Sequence, residues 1–231
     1  KINSVKVFGY TNIDEYPISK SKLSVEYLRN YAHLRPRISS FGSIFRIKSS
    51  ISQATNKFFL EKGYLHINPN IITVNECEGG AGVFQLTEQD ISDYSKLTCI
   101  KNTTKHEWSL DHFNKPAYLT VSSQLQLETL ACSLGSVYTT NKSFRSEHST
   151  TTKHLSEFEH LEIEDVFTTI DELMQTGEDY IKYVGQYLLD NCDDDINNLG
   201  RFVSKGLKER IETIVKSKFN RIKYSKAIDI L

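Results

Sequence analysis

The side chains best suited to chemistry lie close together in one stretch of the chain. Arg145 and Glu147 come first, and His154 and Phe158 follow a short polar segment. A guanidinium group binds phosphate or carboxylate oxygens through two parallel hydrogen bonds, and a phenyl ring offers a flat surface for a base. A histidine beside a polar loop adds a further contact for phosphate. These residue types indicate a nucleotide-binding site.

The stretch has the pattern of a long antiparallel hairpin, with strands over residues 136–146 and 155–167 and a polar loop, 148–153, between them. Alternate residues of a strand share a face. One face therefore collects polar and charged groups with a single aromatic ring, at Thr139, Asn141, Ser143, Arg145, Glu147, Phe158, His160, Glu162 and Glu164. Burying so many charges without partners costs several kcal/mol each, so this face is either solvated or the floor of a ligand site.

Two other interpretations of these residues stay open at this point. The sheet could simply be exposed to solvent on one side. A metal site formed by His148, His154 and His160 is disfavoured, because their regular spacing of six residues matches no usual ligand pattern.

The elements around the hairpin predict an α+β fold, in which antiparallel strands are flanked by helices. Apolar periodicity and Gly63 predict a long amphipathic helix from Ser39 or Ser40. Further predicted elements are a helix over 22–33, strands at 64–67 and 118–121, extended structure at 71–72, an irregular insertion at 88–114, a helix over 122–134 capped by Ser122 or Ser123, a helix over 169–189, and helical segments to the C-terminus.

Bulk composition narrows the class of protein. The 231 residues include 39% hydrophobic and 25% charged residues with a net charge of −1, which gives no overall basic field for nucleic acid. The four cysteines form no close pair, so a reducing compartment is expected. No apolar run approaches the ~20 residues of a membrane span, and no signal peptide is visible.

The hairpin residues also carry a family resemblance. Phe144-Arg145-Ser146-Glu147, six further residues and then Lys153-His154-Leu155-Ser156-Glu157-Phe158 resemble motif 2 of class II aminoacyl-tRNA synthetases. The match is closest to the aspartyl/asparaginyl branch, whose pattern is FRxE, a Ser/Thr-rich loop and RHLxEF. Lys153 departs from the usual Arg and keeps its charge without the fork geometry, and His148 replaces the usual Asn, Asp or Gln.

Four other segments resemble the same family in the same order. Phe58-Phe59 with Gly63-Tyr64 and Pro69 is similar to motif 1, the dimer-forming helix and strand. Glu78-Gly79-Gly80-Ala81 is similar to the loop that closes over the amino acid. Thr120 to Leu125 is similar to the border of the amino-acid pocket, and Leu34-Arg35-Pro36-Arg37 is similar to the linker before the catalytic domain.

The resemblance implies a set of ATP contacts. Arg145 would bind the α-phosphate of ATP and the carboxylate of the amino acid, and Glu147 beside it would hold ATP. His154, with the backbone of Leu155, would contact the phosphate tail, and Phe158 would stack on adenine.

The resemblance also implies amino-acid contacts. Glu78 would pair with the α-ammonium group, Gln124 would hydrogen-bond the bound amino acid, and Glu162 and Glu164 are weaker candidates. Aspartyl enzymes carry a lysine three residues after the matching glutamine, where this chain has Leu127. A pocket without that cation suits a neutral amide better than a buried carboxylate, which favours asparagine.

The implied function is ATP-dependent activation of asparagine to asparaginyl-adenylate and transfer to tRNA(Asn), with Mg²⁺ as cofactor. We also expect a homodimer through residues 40–72, because Ile44, Ile47, Ile51, Phe58 and Phe59 offer more apolar surface than one small sheet needs to cover. A cytoplasmic location is expected, with an organelle as the alternative. Residues 1–20 would be a linker strand from an anticodon-binding domain, and 21–231 the N-terminal part of an incomplete class II catalytic domain. Motif 3, with its second ATP-binding Arg, and the Mg²⁺ ligands would lie beyond Leu231, so no metal ligand is predicted here.

Two alternative functions share the implied fold. A synthetase-like paralogue that makes asparagine from aspartate without tRNA would use the same adenylate chemistry. A non-catalytic dimerisation module is the other, favoured by the missing motif 3 and disfavoured by the joint retention of Arg145, Glu147, His154 and Phe158.

Overall fold

The computed structural model describes residues 2–18, 23–75, 82–103, 105–149, 151 and 153–231. The chain forms two compact units. Unit 1 comprises Lys1–Thr55 and Met174–Leu231, and unit 2 comprises Asn56–Leu173. None of the helices in the described ranges has the length and apolar character needed to cross a membrane.

Helices make up most of unit 1, and all the named strands lie in unit 2. The helices of the described residues are α1 (Val25–Arg29), α2 (Ser39–Glu61), α3 (Gln124–Leu134), α4 (Ile170–Asn191), α5 (Asp193–Phe202), α6 (Leu207–Lys216) and α7 (Tyr224–Ile230). The strands are β1 (Leu65–His66), β2 (Ile72–Thr73), β3 (Gln85–Leu86), β4 (Ala117–Leu119), β5 (Val137–Phe144) and β6 (Glu157–Glu164).

Unit 1 is held together by an apolar cluster between helices. Leu188 and Cys192, with the fully buried Ile196, form its centre, against which Ile47 of α2 packs. The guanidinium of Arg46 adds a fork of hydrogen bonds, 2.6–3.0 Å long, to the carboxylate of Asp195 in the first turn of α5. The N-terminal part of α2 is therefore tied to α5 by packing and by charge.

An aromatic cluster joins the end of α2 to the sheet of unit 2. The ring of Phe59 is buried and stacks on Tyr138 of β5 with 4.6 Å between centroids, and Phe58 meets Phe59 edge-on. The turn that follows the helix contains Gly63, whose φ of 82° lies in the left-handed region that favours glycine. The expectation that Phe58, Phe59 and Ile47 offer surface to a partner is wrong, because all three pack within the chain.

The predicted hairpin is confirmed. Strands β5 and β6 pair antiparallel from Val137↔Glu164 to Phe144↔Glu157, and Ser143 lies opposite Phe158. The pairing departs from a purely antiparallel sheet at one edge, where β1 runs parallel to β5. Parallel pairing follows because the intervening chain returns to the end of the sheet at which β1 begins.

A second small sheet lies in the same unit, with β4 between β2 and β3 in antiparallel order. The segment between β3 and β4 is irregular, as predicted, and contains short 3-10 turns at Tyr94–Lys96 and Trp108–Leu110. The predicted helix over 22–33 is shorter in the structure, where Ser24 caps α1 by accepting a hydrogen bond from the backbone N–H of Tyr27.

One buried carboxylate organises the irregular segment between β3 and β4. Asp111 accepts hydrogen bonds from the Thr87 hydroxyl at 2.6 Å, from the backbone N–H groups of Glu88 and His112, and lies 3.0 Å from Nε2 of His106. The Thr87 hydrogen bond, opposed by burial and reinforced by the other contacts, holds the pKa of Asp111 well below its usual range. These contacts satisfy the buried carboxylate and join the polar loop to Thr87 and Glu88.

Candidate nucleotide and amino-acid site

A cleft of about 350 Å³ opens in unit 2 beside the ends of β5 and β6 that border the hairpin loop. Its volume is within the usual range for small-molecule sites. Eight of the described residues line it: Arg145, Glu147, Ser149, Lys153, His154, Leu155, Ser156 and Phe158. All five residues to which the family resemblance gives ATP contacts are among them, so the structure brings these residues together.

The β-ladder places Arg145 and Phe158 on the same side of the hairpin. The Arg145 backbone N–H donates to the Ser156 carbonyl at 3.1 Å, which extends the pairing beyond the end of β5. The central carbon of the half-buried guanidinium lies 5.7 Å from the centre of the Phe158 ring, a cation–π arrangement. A flat ring and a cation therefore lie close together in the cleft, and these are the two kinds of group that contact a base and a phosphate.

The loop side of the cleft adds further polar groups. His154 and Lys153 are exposed, and Nδ1 of His154 is hydrogen-bonded to the Thr151 hydroxyl. Lys153 supplies positive charge as a point contact rather than a fork. His148, the other departure from the family pattern, does not line the cleft.

Sequence reasoning assigned no role to two serines of the cleft. Ser149 lies in the Ser/Thr-rich loop and Ser156 lies within the quoted motif, so both were near the expected site. The alternation of side chains along a strand does not identify these two serines, because Ser149 lies in the loop and Ser156 lies just before β6.

The polar face continues from the cleft towards α3. His160 lies opposite Asn141 in the ladder, and Nδ1 of His160 is 3.1 Å from the Ser143 hydroxyl. The Asn141 amide donates to the Pro69 carbonyl at 3.2 Å and to the Ser123 hydroxyl at 3.3 Å. Neighbouring elements therefore satisfy polar groups of this half-buried part of the face.

Glu162 anchors the start of α3. Its carboxylate accepts a hydrogen bond from the Ser122 hydroxyl and two from the Ser123 backbone N–H at 3.0 and 3.1 Å. A carboxylate at this position also complements the positive end of the helix dipole. Ser123 makes no side-chain capping bond, whereas the Ser122 hydroxyl accepts from the Gln124 N–H at 3.1 Å, so Ser122 performs the predicted capping role.

A second carboxylate on the same face sits in a negative environment. Burial first, and then the charges of Glu128 and Glu162, raise the pKa of Glu164 above its ordinary value. Negative potential is therefore concentrated where the end of β6 approaches α3.

The residues expected at the amino-acid pocket have different positions. Gln124 is exposed, and its side-chain amide donates to the Glu128 carboxylate at 2.9 Å, which orients its carbonyl oxygen as an acceptor. Leu127 is fully buried in a core cluster with Ala131 and Val137. The expectation that Leu127 borders a ligand is corrected by this packing, since its side chain offers no surface. Glu78 lies outside the described residues.

The described residues include His, Cys, Asp and Glu side chains of the kinds that bind metal ions. Within them, no group of three or more His, Cys, Asp or Glu side chains has the arrangement needed to hold a metal ion.

Comparisons with known proteins agree with the fold and show the family. The family model for tRNA synthetases class II (D, K and N) matches residues 24–231. The chain belongs to this family.

Asparagine–tRNA ligases are among its relatives. The chain is 39% identical to that of Clostridium tetani over 221 residues, covering 96% of this chain and 47% of the relative. It is 41% identical to that of Bacteroides fragilis over 227 residues, covering 98% and 48%. The crystal structure of asparaginyl-tRNA synthetase from Pyrococcus horikoshii complexed with asparaginyl-adenylate superposes with a TM-score of 0.71 at 30% identity, covering 90% of this chain and 41% of that one. The chain thus spans about half the length of the curated relatives it matches.

The burial of Leu127 predicts how the chain responds to substitution there. Leu127→Lys places a charge in an apolar core and should lower the free energy of unfolding by more than about 3 kcal/mol. Leu127→Met preserves volume and apolar character and should cost less than about 1.5 kcal/mol. Denaturant unfolding followed by circular dichroism compares the two variants, and equal midpoints would show that position 127 is not in the core.

Proposed function

We propose that this chain forms the front part of the catalytic domain of an asparagine–tRNA ligase. One observation carries the proposal: Arg145, Glu147, His154, Leu155 and Phe158 line a single cleft of nucleotide size. The relatives that share this sequence over nearly its full length are named as asparagine–tRNA ligases, which supports the same conclusion.

In the proposed reaction, ATP binds with its adenine on Phe158 and its α-phosphate beside Arg145. A carboxylate oxygen of asparagine attacks the α-phosphorus, the bond to the β-phosphate oxygen breaks, and asparaginyl-adenylate and pyrophosphate form. The acyl group then moves to a hydroxyl of tRNA and AMP leaves. The guanidinium of Arg145 stabilises the negative charge that develops at phosphorus. No protein nucleophile is needed, because the carboxylate of asparagine is itself the nucleophile.

The side chains near α3 favour asparagine over aspartate. We propose that the Gln124 carbonyl, oriented by Glu128, accepts from the α-ammonium group of the substrate. Glu128, Glu162 and Glu164 make this region negative, which would repel a second substrate carboxylate and tolerate a neutral amide. Glu78 is proposed to pair with the same ammonium group. The role first given to Leu127 is not proposed again, because of its burial.

The remaining assignments follow the family. ATP is proposed as co-substrate and Mg²⁺ as the ion that neutralises its phosphates when bound, with tRNA(Asn) as the acceptor. Residues 1–20 are proposed to be a linker and 21–231 part of the catalytic domain, a division supported by a family match that starts at residue 24. A cytoplasmic location is proposed because Cys99, Cys132 and Cys192 are free thiols, as a reducing compartment favours.

The proposed chemistry predicts that Arg145→Lys is nearly as harmful as Arg145→Ala. A lysine offers charge but a single point contact, so it cannot hold the substrate carboxylate and the α-phosphate together. Loss of one preorganised donor should reduce asparagine-dependent pyrophosphate exchange about 10²–10³-fold in the full gene product. Phe158→Leu should mainly raise the KM for ATP, because stacking acts on the ground state as well.

Arg201→Lys is the matched control, since the Arg201 guanidinium also lies over a ring, that of Phe202, at 5.9 Å, but far along the chain in unit 1. It should leave exchange unchanged. Retention of more than about a tenth of the turnover by Arg145→Lys would contradict the phosphate role. Exchange that depends on aspartate rather than asparagine would support the asparagine-making paralogue, and no exchange with any amino acid would support a non-catalytic module.

We also propose a homodimer through residues 40–72. Several large apolar side chains of this segment are exposed, namely Phe45 in unit 1 and Leu60 and Leu65 in unit 2, at 49%, 74% and 49%. Apolar exposure of this kind marks interaction surfaces. This stretch resembles the dimer-forming segment of the family. The resemblance supports a second copy of the chain as the partner that covers these side chains.

Leu60→Glu should convert this dimer to a monomer, because it places a charge in an apolar interface. Leu110→Glu is the control, since Leu110 is similarly exposed, at 63%, but lies outside the segment. Sedimentation at micromolar concentration distinguishes the species. A wild-type protein that sediments as a folded monomer would contradict the dimer.

A further inference from the structure

Two of the cleft residues lie beyond the regular end of their strand. β5 ends at Phe144, and Arg145 and Glu147 follow it. On the side of β6, the Arg145 backbone N–H donates a hydrogen bond to the Ser156 carbonyl. A guanidinium that must meet two oxygen groups needs its backbone fixed on the other side as well, because small misplacements weaken catalysis strongly.

That other side is occupied by the segment that precedes β3. The Ser146 backbone N–H donates to the Gly82 carbonyl at 2.7 Å, and the Ser146 hydroxyl donates to the Val83 carbonyl at 3.1 Å. The same segment is attached to the second sheet, since the Phe84 carbonyl accepts from the Leu119 N–H at 2.9 Å. Residue 146 is thus tied through residues 82–84 to β4.

The contact is close enough to require glycine at position 82. A Cβ atom there would lie 2.7 Å from the Ser146 hydroxyl oxygen and 3.3 Å from both the Ser146 carbonyl carbon and the Glu147 amide nitrogen. The last two atoms are backbone and cannot rotate away. The requirement at Gly82 is therefore one of space, and any side chain would push the 146–147 backbone outwards.

We infer that this contact between Gly82–Val83 and Ser146, here called the 82–146 clasp, is a positioning device for the cleft. Ser146 does not line the cleft, whereas both of its neighbours do. Two hydrogen bonds to one residue fix the backbone on each side of it, so the clasp sets the directions of Arg145 and Glu147. This inference rests on the proposed function, because it assigns those two residues to ATP.

Gly82→Ala tests the clasp. Displacement of the 145–147 backbone should lower kcat/KM for ATP in asparagine-dependent pyrophosphate exchange between about ten-fold and 10²-fold, with most of the loss in kcat. The unfolding midpoint of Gly82→Ala should remain close to that of the wild-type protein. Gly177→Ala in α4 is the matched control, because a Cβ there meets nothing within 4 Å.

Ser146→Ala is the second variant that tests the clasp. Alone it removes one of the two hydrogen bonds and should reduce kcat by less than Gly82→Ala does. In the double variant the shortest contact, 2.7 Å to the Ser146 hydroxyl, no longer exists. Gly82→Ala/Ser146→Ala should therefore be more active than Gly82→Ala alone, a rescue that a general loss of stability would not produce.

The outcomes separate the clasp from the function on which it rests. Exchange by Gly82→Ala equal to that of Gly177→Ala, or losses that simply add in the double variant, would overturn the clasp. Absence of exchange in the wild-type protein would overturn the proposed function instead. In that case calorimetric ATP binding still tests the clasp, with weaker binding by Gly82→Ala and partial recovery in the double variant as the expected result, and unchanged binding as the contrary one.

Discussion

The register of β5 against β6 is the constraint on which the site depends. Because side chains alternate in a strand, the pairing of Ser143 with Phe158 places Arg145 and Phe158 on one face and the aromatic contact of Tyr138 on the other. A slip of one residue would turn the cleft residues towards the apolar side. Burial of Tyr138 against Phe59 and of Val137 against Leu127 makes such a slip costly, so core packing fixes the geometry of the cleft.

The same polar face serves two purposes along its length. Near the loop it is open and carries the cation and ring suited to a nucleotide. Towards α3, Glu162 and Asn141 are satisfied by the start of the helix and by Ser123, so charge is used there for structure. The satisfied end holds the backbone in place, which preorganises the open end and reduces the reorganisation that ligand binding requires.

Much of this could be predicted from sequence because it is local. The hairpin, α2 and the sharing of a face by Arg145 and Phe158 follow from periodicity within a short stretch. Long-range packing does not follow from such periodicity. The sequence suggests that Phe58 and Phe59 face a partner, whereas in the structure Phe59 stacks on Tyr138 of the same chain. Its position in the motif suggests that Leu127 lines the pocket. A motif does not show which face of a helix points towards the pocket, and Leu127 lies on the face that packs in the core. The bonds of Asp111 and Ser146 join segments that no pattern connects.

The central claim is that the open end of the hairpin face binds ATP for adenylate formation. A crystal structure of the full gene product with a non-hydrolysable ATP analogue and asparagine tests it most directly. The account predicts adenine stacked on Phe158, with the Arg145 guanidinium within hydrogen-bond distance of an α-phosphate oxygen and of the asparagine carboxylate. A nucleotide bound elsewhere, or an α-phosphate without contact to Arg145, would contradict it.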